Sequence, residues 1–445
     1  MTRVCTVAQN SKLTKEIDTR TRCLVFRLLW VTYASYYLVR TNISIALPVM
    51  AKEYHLPHTS IGLVLSIFFI VYAVGQIING TLGNLIIPRK MIAVGLLVSA
   101  GLNALFPFSH GSIVLMALVW GLNGYFQSMG WGPTVRVLAH WFPSDVRGSA
   151  AGRLGTSYIL GSAFSWILAS LALTFLKWQL VFWVPALLAA GSATWWYQKA
   201  SITQSCLEPA NAKYICSPSS KDEGSLKHVG FFSLFNNTVR TPSVWFAGMA
   251  LLGVNIVRYG FLCWAPSYLV EAGKTLSSRP IYSAIAFPLA GTLGAICAGW
   301  ISDKIFNHKR EPAILFMLMV LIVMCFLFGV YSDTSFRLST ILLLGTGFFT
   351  FGPHMLLVTA LPADAGRNAS SIAGFIDGIG YLGAIVAGIG TGCLVDRYGW
   401  KGGFLLWGGS AIFAVLATLL SLRFRANLNS IKNIFVLTLG NEARI

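Results

Sequence analysis

Two arginines lie inside apolar stretches of the sequence and occupy equivalent places in its two halves. Arg40 stands 13 residues after Arg27 and eight before Pro48, and Arg258 stands eight before Pro266. The interval between the two arginines, 218 residues, is about half of the 445-residue chain. A guanidinium has N–H donors and no acceptor, so a pair of them suits an anion. The spacing predicts an internal repeat whose two arginines meet at one anion site.

The residues around Arg40 predict a polar wall in an otherwise apolar helix. An arginine near the middle of a membrane costs about 2.5–3.5 kcal/mol even on lenient insertion scales, so it should face a cavity rather than lipid. Tyr33, Tyr37 and Ser44 lie seven before, three before and four after Arg40, which puts them on its helix face. The alternative is that each arginine bonds helix carbonyls and only braces the bundle.

The composition requires a membrane for most of the chain. Hydrophobic residues make up 55% of the sequence and charged residues 11%, with a mean hydropathy of +0.67. Such a chain of this length is typical of a polytopic all-α membrane protein. Twelve spans are predicted, six on each side of a polar segment: 24–48, 60–82, 91–108, 112–137, 148–173, 178–198, 241–270, 281–302, 312–331, 338–360, 369–395 and 402–422.

Five regions follow from these spans. Residues 1–23 are expected to form a cytoplasmic N-terminal segment, and residues 423–445 a basic cytoplasmic tail that lies along the membrane surface or is mobile. The two six-helix halves are predicted at 24–198 and 241–422. The polar stretch between them, 199–240, is expected to be a flexible cytoplasmic linker.

The net charge of +18 is a topology signal. With the N-terminus and every second loop in the cytoplasm, 23 of the 33 Lys and Arg residues lie in cytoplasmic segments or at the cytoplasmic ends of spans. The positive-inside rule then predicts that both termini are cytoplasmic. The expected partners are the lipid bilayer and a small anion, and no nucleic acid is expected.

A loop motif occurs once in each half. Gly-x-x-x-Asp-Lys at 299–304, followed by the basic pair Lys309 and Arg310, resembles the cytoplasmic loop signature of the major facilitator superfamily. There Asp303, in a gating motif that includes Lys304, is expected to cap a helix or to pair with a cation across the bundle, and the basic pair is expected to anchor the loop at the inner face of the membrane. The first copy carries Asn84 at the Asp position, which casts doubt on a matching ion pair in the N-terminal half.

A second motif is more specific. The fourth span contains Leu-Asn-Gly-x-x-Gln-x-x-Gly-Trp-x-Pro, with its amide at Asn123. This resembles the organophosphate:phosphate antiporter family, which includes glycerol-3-phosphate and hexose-phosphate transporters. Further matches are Tyr-Tyr-Leu-x-Arg-x-Asn ending at Asn42, the stretch from Arg258 to Tyr268, and the stretch around Tyr381. The resemblance extends from about residue 24 to 420.

The resemblance implies a fold and an activity. The fold would be the major facilitator fold, twelve transmembrane helices in two pseudosymmetric halves, with helices 1, 4, 7 and 10 lining a central cavity. Arg40 and Arg258 match the arginines that the family places on the substrate phosphate. The implied activity is exchange of an organophosphate for inorganic phosphate by alternating access. A monomer and a bacterial inner membrane are expected.

Aromatic and polar positions complete the candidate substrate site. The family resemblance aligns Tyr33, Tyr37, Tyr72 and Tyr381 with cavity positions, although each could simply pack between helices. Gln76 and Tyr158 stand where the glycerol-3-phosphate transporter pattern has Lys and His, which implies a less cationic site and leaves the substrate open.

Three further titratable residues are one aspartate and two histidines inside or near the spans. Asp377 is the one of 15 acidic residues that lies deep in a span, so it should pair, protonate or bind something. Substrate contact and a structural pair remain open for Asp377, with proton coupling as a lesser role. His140 and His354 look isolated and are expected to be structural.

Other function classes are disfavoured by missing motifs. The sequence has no Walker-type Gly-x-x-x-x-Gly-Lys-Ser/Thr phosphate-binding loop, no metal-ligand spacing and no nucleophile triad. Neither an enzyme nor an ATP-driven pump is expected, and no cofactor. Two alternatives stay open: a transporter-like sensor of a sugar phosphate, and a proton-coupled carrier of another anion that uses Asp377.

Overall fold

Helices make up all the regular structure of the described chain, because a backbone in lipid must satisfy its hydrogen bonds internally. The computed structural model describes residues 2–56, 58–175, 177–200, 231–271, 279–332 and 335–442. The elements of the N-terminal half are α1 (Thr2–Thr41), α2 (Ile43–Glu53), α3 (His58–Leu85), α4 (Pro88–Leu105), α5 (Ile113–Gln127), α6 (Trp131–Trp141), α7 (Ser144–Phe175) and α8 (Leu180–Lys199).

The second half follows a similar plan. Its elements are α9 (Phe231–Val239), α10 (Pro242–Glu271), α11 (Arg279–Lys304), α12 (Arg310–Tyr331), α13 (Phe336–Met355), α14 (Leu361–Ala363), α15 (Ala369–Ile385), α16 (Thr391–Tyr398) and α17 (Trp400–Glu442). Two π-helical segments, Leu356–Ala360 and Val386–Gly390, connect α13 to α14 and α15 to α16.

The membrane spans agree with the predicted pattern. Nine helical segments within the described ranges are long and apolar enough to cross a membrane. The three remaining predicted spans coincide with α1–α2, α5–α6 and α11. An arrangement of twelve helices is consistent with these segments. The division of the chain at residues 24, 199, 241 and 423 remains a prediction.

The segments outside the predicted spans are more helical than expected. Residues 231–239 form α9, which packs against α3 and α15, where a flexible linker was expected. Its Thr238 hydroxyl lies 2.9 Å from the Ser371 hydroxyl of α15. The rest of the linker, residues 201–230, lies outside the described chain. α1 begins at Thr2 and α17 runs to Glu442, so both terminal spans extend beyond the limits that hydropathy indicated.

The first span is broken beside Arg40, and the fourth span satisfies the break. Val39 has non-helical angles (φ −100°, ψ 17°), which interrupts the backbone hydrogen bonds of α1. The side chain of Asn123 donates to the carbonyl of Val39 at 3.0 Å, and that of Gln127 donates to the carbonyl of Tyr36 at 3.0 Å. The amides of α5 therefore hold the backbone that carries Arg40.

Small residues bring the two halves into close contact. α3 packs against α15, and α7 packs against α11. A Cβ at Gly80 would lie 2.7 Å from the Cα of Gly374 and 2.9 Å from the Ser370 carbonyl oxygen. A Cβ at Gly299 would meet the carbonyl of Gly148. The halves can approach this closely only because these positions lack a side chain.

The contact at Gly80 predicts a stability difference between two glycine substitutions. We expect Gly80→Ala to lower the thermal unfolding midpoint in detergent, since the added methyl overlaps the α15 backbone at a cost of about 1–3 kcal/mol. Gly101→Ala is the matched control, because a Cβ there meets nothing within 4 Å. Equal midpoints for the two variants would contradict this interhelical contact.

Candidate functional site

A small cavity lies between the two halves. Its volume is about 20 Å³, room for about one water molecule, so admission of a larger solute requires the surrounding side chains to move apart. Three helices of the N-terminal half (α1, α6 and α7) and three of the C-terminal half (α10, α13 and α15) contribute aromatic or charged groups to it. The cavity is lined by Tyr33, Tyr37, Trp131, Tyr158, Arg258, His354, Val358, Asp377 and Tyr381.

Arg258, on α10, is the guanidinium that lines this cavity. It is 7% exposed, and its Nη1 lies 3.0 Å from Nε2 of His354. The rings of Tyr158, Tyr259 and Phe351 surround it, with centroids 5.2, 5.0 and 5.0 Å from its Cζ. Aromatic faces attract a cation, which offsets part of the cost of burying it.

Arg40, on α1, lies behind the cavity wall and has a similar environment. It is 8% exposed, and its Nη2 donates to the hydroxyl of Tyr381 at 2.9 Å. Its Cζ lies 4.3 Å from the ring centroid of Tyr72 and 5.1 Å from that of Tyr37. The hydrogen bond joins the first span of one half to the eleventh span of the other.

Tyrosine rings connect the two arginines. The ring of Tyr37 contacts Arg40, and the ring of Tyr158 contacts Arg258. The centroids of these two rings are 5.6 Å apart. The ring of Tyr381 also lies between the two groups of aromatic residues. Its centroid is 4.8 Å from that of Tyr72, beside Arg40, and 6.4 Å from that of Tyr259, beside Arg258. Arg40 is thus separated from the cavity by rings whose hydroxyls can serve an anion as donors.

Asp377 places a carboxylate in the same cavity. Its side chain, on α15, is buried at 6% exposure. In the described ranges it takes part in no hydrogen bond or ion pair, so the structural pair that the sequence allowed is not formed here. Two guanidiniums and one carboxylate leave the region with an excess of positive charge when all three are ionised.

Besides Arg40, three predicted substrate-site residues do not line the cavity. Gln76 donates its amide to the hydroxyl of Tyr72, one helical turn away on α3. Tyr72 contacts the Arg40 guanidinium rather than the cavity. Asn123 is engaged with the Val39 carbonyl. In this conformation these groups support Arg40 and its helix.

Two cavity residues were missed by the sequence analysis. His354 was expected to be an isolated structural histidine, but it contacts Arg258 and lines the cavity. Trp131 also lines it and donates its indole N–H to the Val358 carbonyl across the two halves at 3.0 Å. Trp131 lies in span 4 and His354 in span 10. The family resemblance assigned both spans to the cavity, and that assignment could have identified these two residues.

One end of the bundle is closed by an ionic network centred on Arg310. This guanidinium is 1% exposed and donates to Asp303, to Asp364 and to the Ser144 carbonyl. Asp364 also accepts from Arg147 of α7 at 2.8 Å. The network therefore joins α11, α12 and the loop before α15 to α7 of the other half.

Asp303 binds the start of α7 directly. Its carboxylate accepts from the backbone N–H groups of Gly148 and Ser149 at 3.2 and 2.7 Å, and from the Ser149 hydroxyl at 2.9 Å. A carboxylate near a helix N-terminus also interacts favourably with the helix dipole. These contacts agree with the expected capping or cross-bundle role of the loop aspartate.

The other loop residues differ from Asp303. Lys304 is exposed. Both amide atoms of Asn84 are buried and have no hydrogen-bond partner in the described chain. The loop of the N-terminal half is held instead by Arg136, which donates to the Gly83 carbonyl at 2.8 Å. Arg310 was expected to anchor a basic loop at the membrane surface, and its buried position corrects that interpretation.

Comparison with known proteins agrees with the fold. The sequence model of the Major Facilitator Superfamily matches residues 29–388. Among solved structures, a variant of the Escherichia coli fucose:proton symporter FucP superposes with a TM-score of 0.69 at 13% identity, over 90% of this chain and 99% of that one.

Curated relatives cover nearly the whole chain. The glycerol-3-phosphate transporter of Bacillus subtilis (strain 168) is 32% identical over 413 residues, 89% of this chain and 91% of the relative. A probable hexose phosphate transport protein of Chlamydia pneumoniae is 29% identical over 409 residues, with 89% and 90% covered. The membrane sensor protein UhpC of Escherichia coli (strain K12) is 27% identical over 423 residues, with 92% and 94% covered.

The network around Arg310 predicts the effect of a conservative substitution. Arg310→Lys keeps the charge but loses the planar fork, so one ammonium cannot serve both aspartates and the Ser144 carbonyl together. We expect a lower thermal unfolding midpoint in detergent, equivalent to about 1–3 kcal/mol. The exposed neighbour Lys309 provides the control, since Lys309→Ala should leave the midpoint unchanged. A shift of the same size in both variants would contradict the role of the network.

Proposed function

This chain belongs to the Major Facilitator Superfamily, and on that premise we propose that it exchanges a small organophosphate for inorganic phosphate across the membrane. Within the superfamily it belongs with the organophosphate:phosphate antiporters, which its relatives represent. The substrate class is a sugar phosphate or a glycerol phosphate. The chain acts as a secondary transporter and not as an enzyme.

The observation that carries the proposal is the pair of buried arginines, one from each half. Both are more than nine-tenths buried, and neither forms an ion pair in the described residues. A phosphate monoester carries about −1.5 to −2 charges near pH 7 and several acceptor oxygens, so it can satisfy two guanidinium forks at once. Arg258 already lines the cavity, and Arg40 is reached once Tyr37 or Tyr381 moves.

The transport cycle follows from where the bonds between the halves lie. The Arg310 network closes one end of the bundle, and the bond from Arg40 to Tyr381 joins the halves at the centre. Rocking of the halves would break the network and open the cavity to that side. An anion held by both arginines offsets their repulsion and favours closure, whereas two uncompensated arginines resist it. Exchange rather than net uptake is the expected consequence.

The remaining candidates have supporting roles in this proposal. Tyr33, Tyr37, Tyr158 and Tyr381 supply hydroxyl donors around the anion. Asp377 limits the excess positive charge and can accept from a substrate hydroxyl. Gln76, Tyr72 and Asn123 position Arg40, and Asp303, with its partners, forms a gate.

The setting of the protein in the membrane is proposed on the same basis. Basic residues concentrate on one side of the predicted topology, which supports a cytoplasmic location for both termini. The relatives are bacterial, which favours an inner membrane. A monomer suffices, because both arginines of the site belong to one chain.

A second candidate function is a sensor of a sugar phosphate. The similarity to UhpC over 92% of this chain favours it, and it would use the same arginines. A sensor would bind phosphate compounds without exchanging them. Proton-coupled transport through Asp377 is a third candidate function. Such transport would stop when an uncoupler is added.

Exchange in proteoliposomes tests the proposal. Vesicles loaded with phosphate should take up radiolabelled phosphate, and organophosphates should compete. Arg40→Lys and Arg258→Lys should each reduce exchange about tenfold to hundredfold, because hydrogen bonds to charged groups contribute about 1.5–3 kcal/mol.

The control for this experiment is Arg153→Lys. Arg153 lies within a predicted span but is exposed, away from the cavity, so its substitution should leave exchange unchanged. Rapid net uptake without phosphate inside the vesicles would exclude obligatory exchange. Binding without exchange would favour the sensor.

A further inference from the structure

His354 makes one contact to Arg258 and leaves a second ring nitrogen available. Its Nε2 lies 3.0 Å from Nη1 of Arg258, and the imidazole is 6% exposed. A guanidinium can only donate hydrogen bonds, so Nε2 must be the acceptor. A neutral imidazole that accepts at Nε2 carries its proton on Nδ1. The contact therefore fixes the tautomer of His354.

The two residues present unpaired donors beside each other. His354 Nδ1 and Arg258 Nε are both buried, and neither has a hydrogen-bond partner among the described residues. A buried donor without a partner costs about 1–3 kcal/mol. Both side chains line the central cavity. The pair is thus suited to a ligand that offers two acceptor oxygens.

Nearby protein groups do not satisfy the His354 donor. The Asp377 carboxylate lines the same cavity, yet it forms no hydrogen bond to the imidazole. Tyr158 lies 6.2 Å away between ring centroids, and its own hydroxyl is buried without a partner. The other titratable or charged groups lining the cavity are Tyr33 and Tyr37 of α1 and Tyr381 of α15.

The local backbone also sets His354 apart. It lies two residues before the π-helical segment Leu356–Ala360, in a helix that contains Pro353. π-Helical turns are rare and occur frequently at functional sites. Here the segment follows directly on the turn that presents His354 to Arg258.

We propose that His354 is a further substrate-binding residue, whose neutral imidazole donates its Nδ1 proton to an oxygen of the phosphate group that Arg258 holds. This inference rests on the proposed function, since it assumes a phosphate in the cavity. It gives α13 a direct part in the site. It also supplies a donor in a site where Gln76 and Tyr158 replace the Lys and His of the glycerol-3-phosphate transporter pattern.

Two substitutions separate the two nitrogens of the imidazole. His354→Asn places an amide N–H near the Nδ1 position but cannot reach Arg258. His354→Gln places an amide oxygen near the Nε2 position, where it can still accept from Arg258, but it lacks the Nδ1 donor. A residue that only positions Arg258 is replaced better by Gln, and a residue that binds phosphate through Nδ1 is replaced better by Asn.

The experiment measures how phosphate exchange depends on phosphate concentration for the full chain in proteoliposomes. We expect His354→Asn to stay within about threefold of the wild-type half-saturation concentration and His354→Gln to raise it about tenfold, as for one lost hydrogen bond. The phosphate-dependent rise of the thermal unfolding midpoint gives a parallel reading of binding. It applies equally if the protein binds phosphate without transporting it.

Any other pattern of effects in the two variants overturns the inference. A normal Gln variant with an impaired Asn variant would make His354 a positioning residue for Arg258. Equal effects in both variants, or none in either, would show that the Nδ1 donor does not bind phosphate. A wild-type protein that binds phosphate but does not exchange it would contradict the proposed transport and leave this test in force. A wild-type protein that neither binds nor exchanges phosphate would contradict both proposals.

Discussion

Burial of two guanidiniums inside a bundle of apolar helices is the constraint on which the rest of this structure depends. Arg40 and Arg258 are 8% and 7% exposed, and the one carboxylate that lines the adjoining cavity is Asp377. Tyrosine and phenylalanine rings surround both cations and offset part of the cost of burial. The ring faces cannot cancel the charge, which supports the proposal that an anion binds there. Because one arginine comes from each half, such an anion would also affect how the halves pack.

Closure at one end of the bundle uses a different kind of interaction. Arg310 and Asp303 form a buried, hydrogen-bonded pair that also binds α7 of the opposite half. Breaking such a pair is costly when one partner is removed, but rocking can separate it while water enters to solvate both groups. The central site and this network thus join the same two halves at different positions, one at the centre of the bundle and one at its end. Glycines at the α3–α15 and α7–α11 contacts allow the halves to approach closely enough for both.

The sequence predicted the features that repeat or follow hydropathy. The spans, the two arginines and the loop aspartate were recognised because apolar runs, spacing and a local motif indicate them. Six of the ten proposed substrate-site residues line the cavity, namely Tyr33, Tyr37, Tyr158, Arg258, Asp377 and Tyr381. Local patterns carry no information on which distant groups meet. The pairing of His354 with Arg258, 96 residues apart, and the bond from Arg40 to Tyr381, 341 residues apart, needed the folded chain.

The same limit explains the differences in the loops. The buried Arg310 looked like a surface anchor because its neighbours are basic, and its partners Asp364 and Ser144 lie 54 and 166 residues away. Helix α9 lies in a polar stretch, and its packing against α3 and α15 could not be inferred from composition. In each case a tertiary contact decided the structure of a segment that sequence periodicity left open.

The central claim is that Arg40 and Arg258 bind one anion together, and a double-mutant cycle on phosphate affinity tests it most directly. Titration calorimetry would compare the wild type with Arg40→Gln, Arg258→Gln and the double variant. The account predicts that each single substitution removes most of the affinity and that the double variant binds no more weakly than either, because both residues act on the same ligand. Losses of free energy that simply add, or a single variant that binds normally, would contradict it.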